Sequence, residues 1–283
     1  MKGLFSNIMF HQPPSSGLSA TFSPDAGEKG QNSATSKQAL RVGVTFACVW
    51  YDCEQKSETM ERIMSLLLTD SQLGRFRRTG VIAVMVVDDP DRAVSLAKAL
   101  LDGGVDIMEL TLRTPQALDC LSAIVKQVPE MLAGAGTILF PEQVDQVVNA
   151  GAAFGVAPGT NPVVIRRADQ LNLPFAPGVA TPTDIDVAVQ AGCRLLKFFP
   201  AEHSGGLNML ASIKAPYAHL GLQYIPLGGI TSGNLSAWLT DHDVLAVGGS
   251  WLAKKEAIES SRWNEITQNS REAREIVRLV RGA

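Results

Sequence analysis

No CxxC pair, no HExxH motif and no lysine- or arginine-rich block occurs in this chain. Each absence removes a class of function. The four cysteines, Cys48, Cys53, Cys120 and Cys193, fit neither zinc-ligand nor disulfide-framework spacing, so they read as reduced thiols of a cytoplasmic protein. His11, His203, His219 and His242 are scattered singly, and no metal site is expected. A formal net charge of −3 without a basic cluster argues against nucleic acid or an acidic membrane surface as partner. Val42 to Tyr51 is apolar but far too short to span a bilayer, and it has no assigned role. No GxGxxG follows the first apolar run of the repeating region, which counts against a dinucleotide-binding sheet.

What is present is the composition of a globular protein: 283 residues, 46% hydrophobic and 19% charged. Residues 1–55 differ from the rest. Gln12–Gly17 and Ser23–Gly30 are small, polar and breaker-rich, as in a poorly structured tail, and the apolar residues near Met1 are too interrupted for a signal peptide. Translation from Met60 or Met64 would make this segment an upstream extension. From Ser57 to Leu68 the apolar residues Met60, Ile63, Met64, Leu67 and Leu68 recur at helical spacing, predicting a helix that leads into and caps a domain over 56–283.

From Gly80 onward one unit repeats: a short apolar run, a capping residue followed by proline, an amphipathic helix, then glycine. Asp89-Pro90, Thr114-Pro115, Asn161-Pro162 and Thr181-Pro182 are the expected helix starts, because a capping side chain accepts from N–H groups that the first turn leaves unpaired and proline at the first position has none to lose. Gly103-Gly104, Ala150-Gly151 and Ala191-Gly192 are the expected ends. Apolar runs lie near Val81–Val87, Ile107–Leu112, Leu132–Gly134, Phe154–Ala157, Phe175–Pro177, Leu195–Phe198, Tyr224–Leu227 and Leu245–Gly248. About eight strands alternating with helices predict a (β/α)8 barrel, closed by a last helix over Trp263–Val280, with its chemistry at the carboxyl ends of the strands.

Leu195-Leu196-Lys197-Phe198-Phe199 places a lysine inside an apolar strand. Desolvating an ammonium costs several kcal/mol unless it is paired, and burial favours the neutral amine, a nucleophile suited to carbonyl substrates. A lysine that snorkels to the strand end is the plainer alternative. Alternation puts Glu109, Thr111 and Arg113 of the second strand on one face and Met108, Leu110 and Leu112 on the other. The apolar set faces the helices, so the carboxylate faces the lumen, as do Lys197 and Phe199 from the sixth strand. An amine beside a carboxylate is the equipment for Schiff-base chemistry, one attacking a ketone and the other moving protons. Gly134-Ala135-Gly136-Thr137 offers small residues and a rim hydroxyl, or simply a tight turn. Gly228-Gly229 and Gly249-Ser250 follow the seventh and eighth strands, where barrels bind phosphate through backbone N–H groups.

Glu109-Leu110-Thr111-Leu112-Arg113-Thr114, Gly134–Thr137, Ala157-Pro158-Gly159, Pro177-Gly178-Val179, Lys197-Phe198-Phe199-Pro200-Ala201-Glu202 and Gly248-Gly249-Ser250-Trp251 occur in this order. From about Gly80 to Ala257 the chain resembles the 2-dehydro-3-deoxy-phosphogluconate (KDPG and KHG/KDPG) aldolases. The resemblance implies a class I lyase without metal or other cofactor, in which Lys197 forms the Schiff base and Glu109 shuttles protons. It implies that Arg113 and Thr137 hold the carboxylate of the pyruvate half, with Pro158 and Phe199 against it, and that Gly228, Gly229, Gly249 and Ser250 hold the phosphate. Substrate would be a phosphorylated keto acid, products pyruvate and glyceraldehyde 3-phosphate, and the assembly a homotrimer. One position departs: Leu227 stands where the family commonly has threonine, which leaves the galactonate epimer or 4-hydroxy-2-oxoglutarate open as substrate. A non-catalytic phosphate-binding barrel, or a thiamine-phosphate synthase type, would leave Lys197 unexplained.

Overall fold

The computed structural model describes residues 66–282. The expectations for residues 1–55, for Val42–Tyr51 and for starts at Met60 or Met64 lie outside the described residues. So does most of the helix expected over Ser57–Leu68; the described part of it, Leu66 to Leu68, is not helical. Among the described residues the helix that leads into the sheet is α1 (Asp70–Thr79), opened by a Thr69–Gln72 capping box and closed by Gly80 at φ 69°. That signal, threonine followed three residues on by glutamine and then a terminal glycine, was present in the sequence.

Strands and helices then alternate: β1 (Val81–Met85), α2 (Pro90–Asp102), β2 (Ile107–Thr111), α3 (Ala117–Gln127), β3 (Leu132–Gly136), α4 (Pro141–Asn149), β4 (Gly155–Val156), α5 (Pro162–Gln170), β5 (Phe175–Ala176), β6 (Gly178–Val179), α6 (Pro182–Gln190), β7 (Leu195–Phe198), α7 (Gly206–Lys214), β8 (Gln223–Pro226), α8 (Ser232–Leu239), β9 (Val247–Gly249), α9 (Lys255–Glu259) and α10 (Trp263–Arg281). Asp89, Asn161 and Thr181 cap α2, α5 and α6 through their side chains, as expected. Thr114 does not cap α3. That helix starts at Ala117 without a side-chain cap, and Thr114 Oγ1 donates instead to the Val87 carbonyl at 2.9 Å, tying the β2 exit to the β1 exit.

Every strand pairing is parallel, in the orders β5-β4-β3-β2-β1-β9 and β6-β7-β8. Isolated bridges Tyr224↔Val244 and Leu227↔Gly248 join β8 to the β9 segment. The expected fifth strand is split at Pro177, which has no N–H for a ladder: β5 before it pairs with β4, and β6 after it pairs with β7. The result is a curled parallel sheet of TIM-barrel type wrapped by helices. The sequence alternation sorts the core into two apolar clusters. Met108, Leu110, Leu196 and Phe198 pack outward with helix residues such as Leu100, Leu121 and Trp238. Ile82, Ile107, Phe154, Leu195, Ile225 and Leu227 fill the interior. Phe76 of α1 joins the inner cluster edge-on to Phe154, with ring centroids 5.3 Å apart, so α1 stoppers the amino-terminal end. Among the described residues, no helix is long and apolar enough to cross a membrane.

Candidate active site

A cavity of about 750 Å³ opens at the carboxyl ends of the strands, within the size range of small-molecule sites. Lys197 enters it from β7 and Glu109 from β2. Lys197 Nζ donates to Glu109 Oε1 at 3.2 Å, with the two side chains only 6% and 2% exposed. Desolvating both charges is repaid only by their pairing, so each side chain holds the other in place. The Phe199 ring adds a cation–π contact, its centroid 5.3 Å from Nζ. The lysine does not snorkel out; it is kept inside.

The neighbouring strand makes room for this pair. A Cβ on Gly136 would stand 1.8 Å from Glu109 Oε1, and one on Gly134 would collide with the Phe154 ring. The small residues of β3 are therefore the seat of the carboxylate and of an inner aromatic. Thr137 follows at φ 61°, a conformation that costs a β-branched residue energy and that fixes it at the rim. Thr111 was placed on the site face by alternation but given no role. It is buried and donates to the Met85 carbonyl at 3.1 Å while accepting from Arg113 Nε at 3.2 Å, which orients the guanidinium.

Arg113, Thr137, Pro158, Phe199, Gly228, Gly229, Gly249 and Ser250 all line the same cavity as Lys197 and Glu109. Sequence reasoning missed other lining residues. Ile230 follows the glycine pair, and Lys254 and Lys255 bring positive charge to the mouth from the start of α9. The lysines lie in an exposed polar stretch with no periodic signal, so only the fold brings them here. Gly228 and Gly229 hold φ 99° and 80°, which turns their peptides sharply after β8. Among the described residues, Asp241, His242 and Asp243 are a group able to offer metal ligands, but they do not line the cavity, and Lys214 already pairs with both carboxylates at 2.5 and 2.8 Å.

Residues 73–269 match the family model described as KDPG and KHG aldolase. The chain is 40% identical over 199 residues to the KHG/KDPG aldolase of Escherichia coli (strain K12), covering 70% of this chain and 92% of that protein. Among solved structures, it resembles the KDPG aldolase from Legionella pneumophila with pyruvate captured as a covalent carbinolamine intermediate, at 35% identity and a TM-score of 0.68, covering 71% of this chain and 97% of that one. The 2-keto-3-deoxy-6-phosphogluconate aldolase of Zymomonas mobilis ZM4 with 3-phosphoglycerate is also similar, at 35% identity and a TM-score of 0.65, covering 72% of this chain and 96% of that one. A buried lysine–carboxylate pair at the carboxyl ends of a curled parallel sheet, and relatives that match over most of both lengths, lead to one conclusion: the chain belongs to the KDPG and KHG aldolase family.

Proposed function

We propose that this chain cleaves 2-dehydro-3-deoxy-6-phosphogluconate to pyruvate and glyceraldehyde 3-phosphate, through a Schiff base on Lys197. The observation that carries this is the 3.2 Å contact between Lys197 Nζ and Glu109 Oε1 inside the cavity. Lys197 passes a proton to Glu109 and the neutral amine attacks the C2 ketone; Glu109 then gives that proton to the carbinolamine hydroxyl, which leaves as water to yield the protonated imine. Glu109 takes the proton of the C4 hydroxyl as the C3–C4 bond breaks. The bonding electrons pass into the protonated imine, which becomes an enamine, and the aldehyde leaves. Protonation at C3 and hydrolysis of the imine release pyruvate and restore the amine. The chemistry is carried by the lysine and draws on no cofactor.

In this reading Arg113 and Thr137 hold the substrate carboxylate, Pro158 and Phe199 flank the pyruvate half, and Gly228, Gly229, Gly249 and Ser250 receive the phosphate. Lys254 and Lys255 line the cavity beside Glu256, and Lys255 pairs with Glu259 at 3.5 Å, so Lys254 is the cation that would attract an anionic distal group. The catalytic unit is residues 56–283, arranged as a (β/α)8 barrel and assembled as a cytoplasmic homotrimer, which light scattering would check. Leu227 supports a second substrate choice, the galactonate epimer or 4-hydroxy-2-oxoglutarate, because its side chain lines the cavity and brings no hydroxyl for the sugar. Pyruvate release from the two C4 epimers and from 4-hydroxy-2-oxoglutarate separates these choices; absence of pyruvate from all three would defeat the proposal.

A further inference from the structure

Glu202 ends the Lys197–Glu202 motif, yet the chemistry above gives it no task. Its contacts do. Beyond β7 the backbone keeps pairing with the segment after β8, Ala201 N–H donating to the Leu227 carbonyl at 2.7 Å and Glu202 N–H to the Gly228 carbonyl at 3.0 Å. The Glu202 carboxylate turns back into the wall, where Oε1 accepts from Trp238 Nε1 at 2.6 Å. Trp238 is 1% exposed on α8, and its ring lies 6.2 Å from that of Phe198, beside the lysine. The glycine turn rests on this side chain, since a Cβ on Gly229 would stand 2.6 Å from Glu202 Cβ and 2.9 Å from Cγ.

The consequence follows from peptide geometry. In a planar trans peptide the N–H points opposite to the C=O. Glu202 N–H holds the Gly228 carbonyl against the wall, and Asn234 Nδ2 holds the Gly229 carbonyl at 3.2 Å. The N–H groups of Gly229 and Ile230 belong to those same two peptides, so they point the other way. Both residues line the cavity, and among the described residues neither N–H has a hydrogen-bond partner. Two adjacent unpaired donors at a cavity wall make an anion cradle.

We infer that Glu202 is a positioning residue for the distal phosphate: clasped by Trp238, it fixes the Gly228-Gly229-Ile230 turn with its N–H groups facing the substrate. This rests on the aldolase reading above. Because the clasp touches the phosphate end and not Lys197 or Glu109, its loss acts on KM for phosphorylated substrate and spares kcat.

The test compares Glu202→Gln, which keeps an acceptor for Trp238, with Glu202→Met and Trp238→Phe, which each break the bond from one side. Each is assayed on the phosphorylated keto acid and on its dephosphorylated analogue. Expected is a rise of about tenfold or more in KM for the phosphorylated substrate in the Met and Phe variants, the loss of one charge-assisted hydrogen bond. The KM for the analogue stays put, and Glu202→Gln recovers most of the loss. The Glu202→Met, Trp238→Phe double variant is no worse than either single one, because the two residues act as one unit. Parallel KM changes for both substrates, or unchanged KM in folded Trp238→Phe, overturn the inference. A wild-type enzyme that turns over neither substrate would instead sink the aldolase reading on which it stands.

Discussion

A single methyl group on Gly136 would stand 1.8 Å from Oε1 of Glu109. The glycine of β3 is the space the carboxylate of β2 occupies, and the two strands pair directly, with Thr111 opposite Gly136. Gly136→Ala is therefore expected to push the carboxylate off Lys197 without dismantling the sheet. Misplacing a reacting group by about 1 Å costs on the order of a hundredfold in rate. Steady-state kinetics should show kcat reduced by about that factor in a protein with a cooperative melt. A Gly136→Ala enzyme with near wild-type kcat would mean that Glu109 does not act from this position.

The Lys197–Glu109 pair also makes a stability prediction. Removing one partner of a buried ion pair leaves a lone desolvated charge, which typically costs about 3–5 kcal/mol, whereas removing both charges costs far less. Lys197→Met should lower stability by about that amount near neutral pH, and adding Glu109→Gln should recover most of it. Urea unfolding of the two single variants and the double variant forms the cycle. Strict additivity would show that the pair is not coupled in the folded enzyme.

Leu227 has its own consequence for selectivity. It is buried in the inner cluster beside Gly248 and lines the cavity, and its side chain can neither donate nor accept a hydrogen bond. Leu227→Thr puts a hydroxyl beside the carbons that distinguish the two C4 epimers, where one correctly made hydrogen bond is worth about tenfold. The ratio of kcat/KM for the two epimers should shift by about that factor. A ratio equal to that of the wild type would remove Leu227 from the account of selectivity.

The strand alternation that put Lys197 and Glu109 in one lumen was legible because burial on both faces of a barrel strand leaves each side chain one of two environments. Leu196 and Phe198 joined the outer cluster and Leu195 the inner one, as period-two alternation requires. The caps Asp89, Asn161 and Thr181, each followed by proline, were legible for a local reason, since each satisfies donors of its own first turn. Thr114 failed by the same logic: a carbonyl on the neighbouring strand exit competed for its hydroxyl. The hydrogen bond between Glu202 and Trp238 joins residues 36 positions apart, and no local pattern announces it. Lys254 and Lys255 belong to the cavity only through the return of β9 to β1.

Two buried thiols give the fold an alkaline dependence. Burial pushes Cys193 up to about 12, outweighing the attraction of nearby Arg194, and burial with the neighbouring carboxylates of Asp89, Asp119 and Asp88 pushes Cys120 up to about 11. The folded protein holds these protons more firmly than the unfolded chain, whose thiols titrate near the ordinary value of 9.0. Their stabilisation is thus fully present below about pH 9 and is lost as pH rises towards 11 and 12. Between about pH 9 and 11, Cys193→Ala should lose about 2 kcal/mol less than the wild type in urea titrations. Parallel curves would contradict it. At neutral pH a maleimide should label neither Cys120 nor Cys193 in the folded enzyme.

The central claim is that Lys197 is the nucleophile, and borohydride trapping with pyruvate tests it most directly. Reduction of the folded protein in the presence of pyruvate, followed by peptide mapping, should place a reduced pyruvyl adduct on the peptide carrying Lys197. The adduct should be absent without pyruvate and absent from Lys197→Met. Folded protein that binds pyruvate but yields no adduct at Lys197, or yields one at another lysine, would contradict the mechanism and leave the cavity to a binding role.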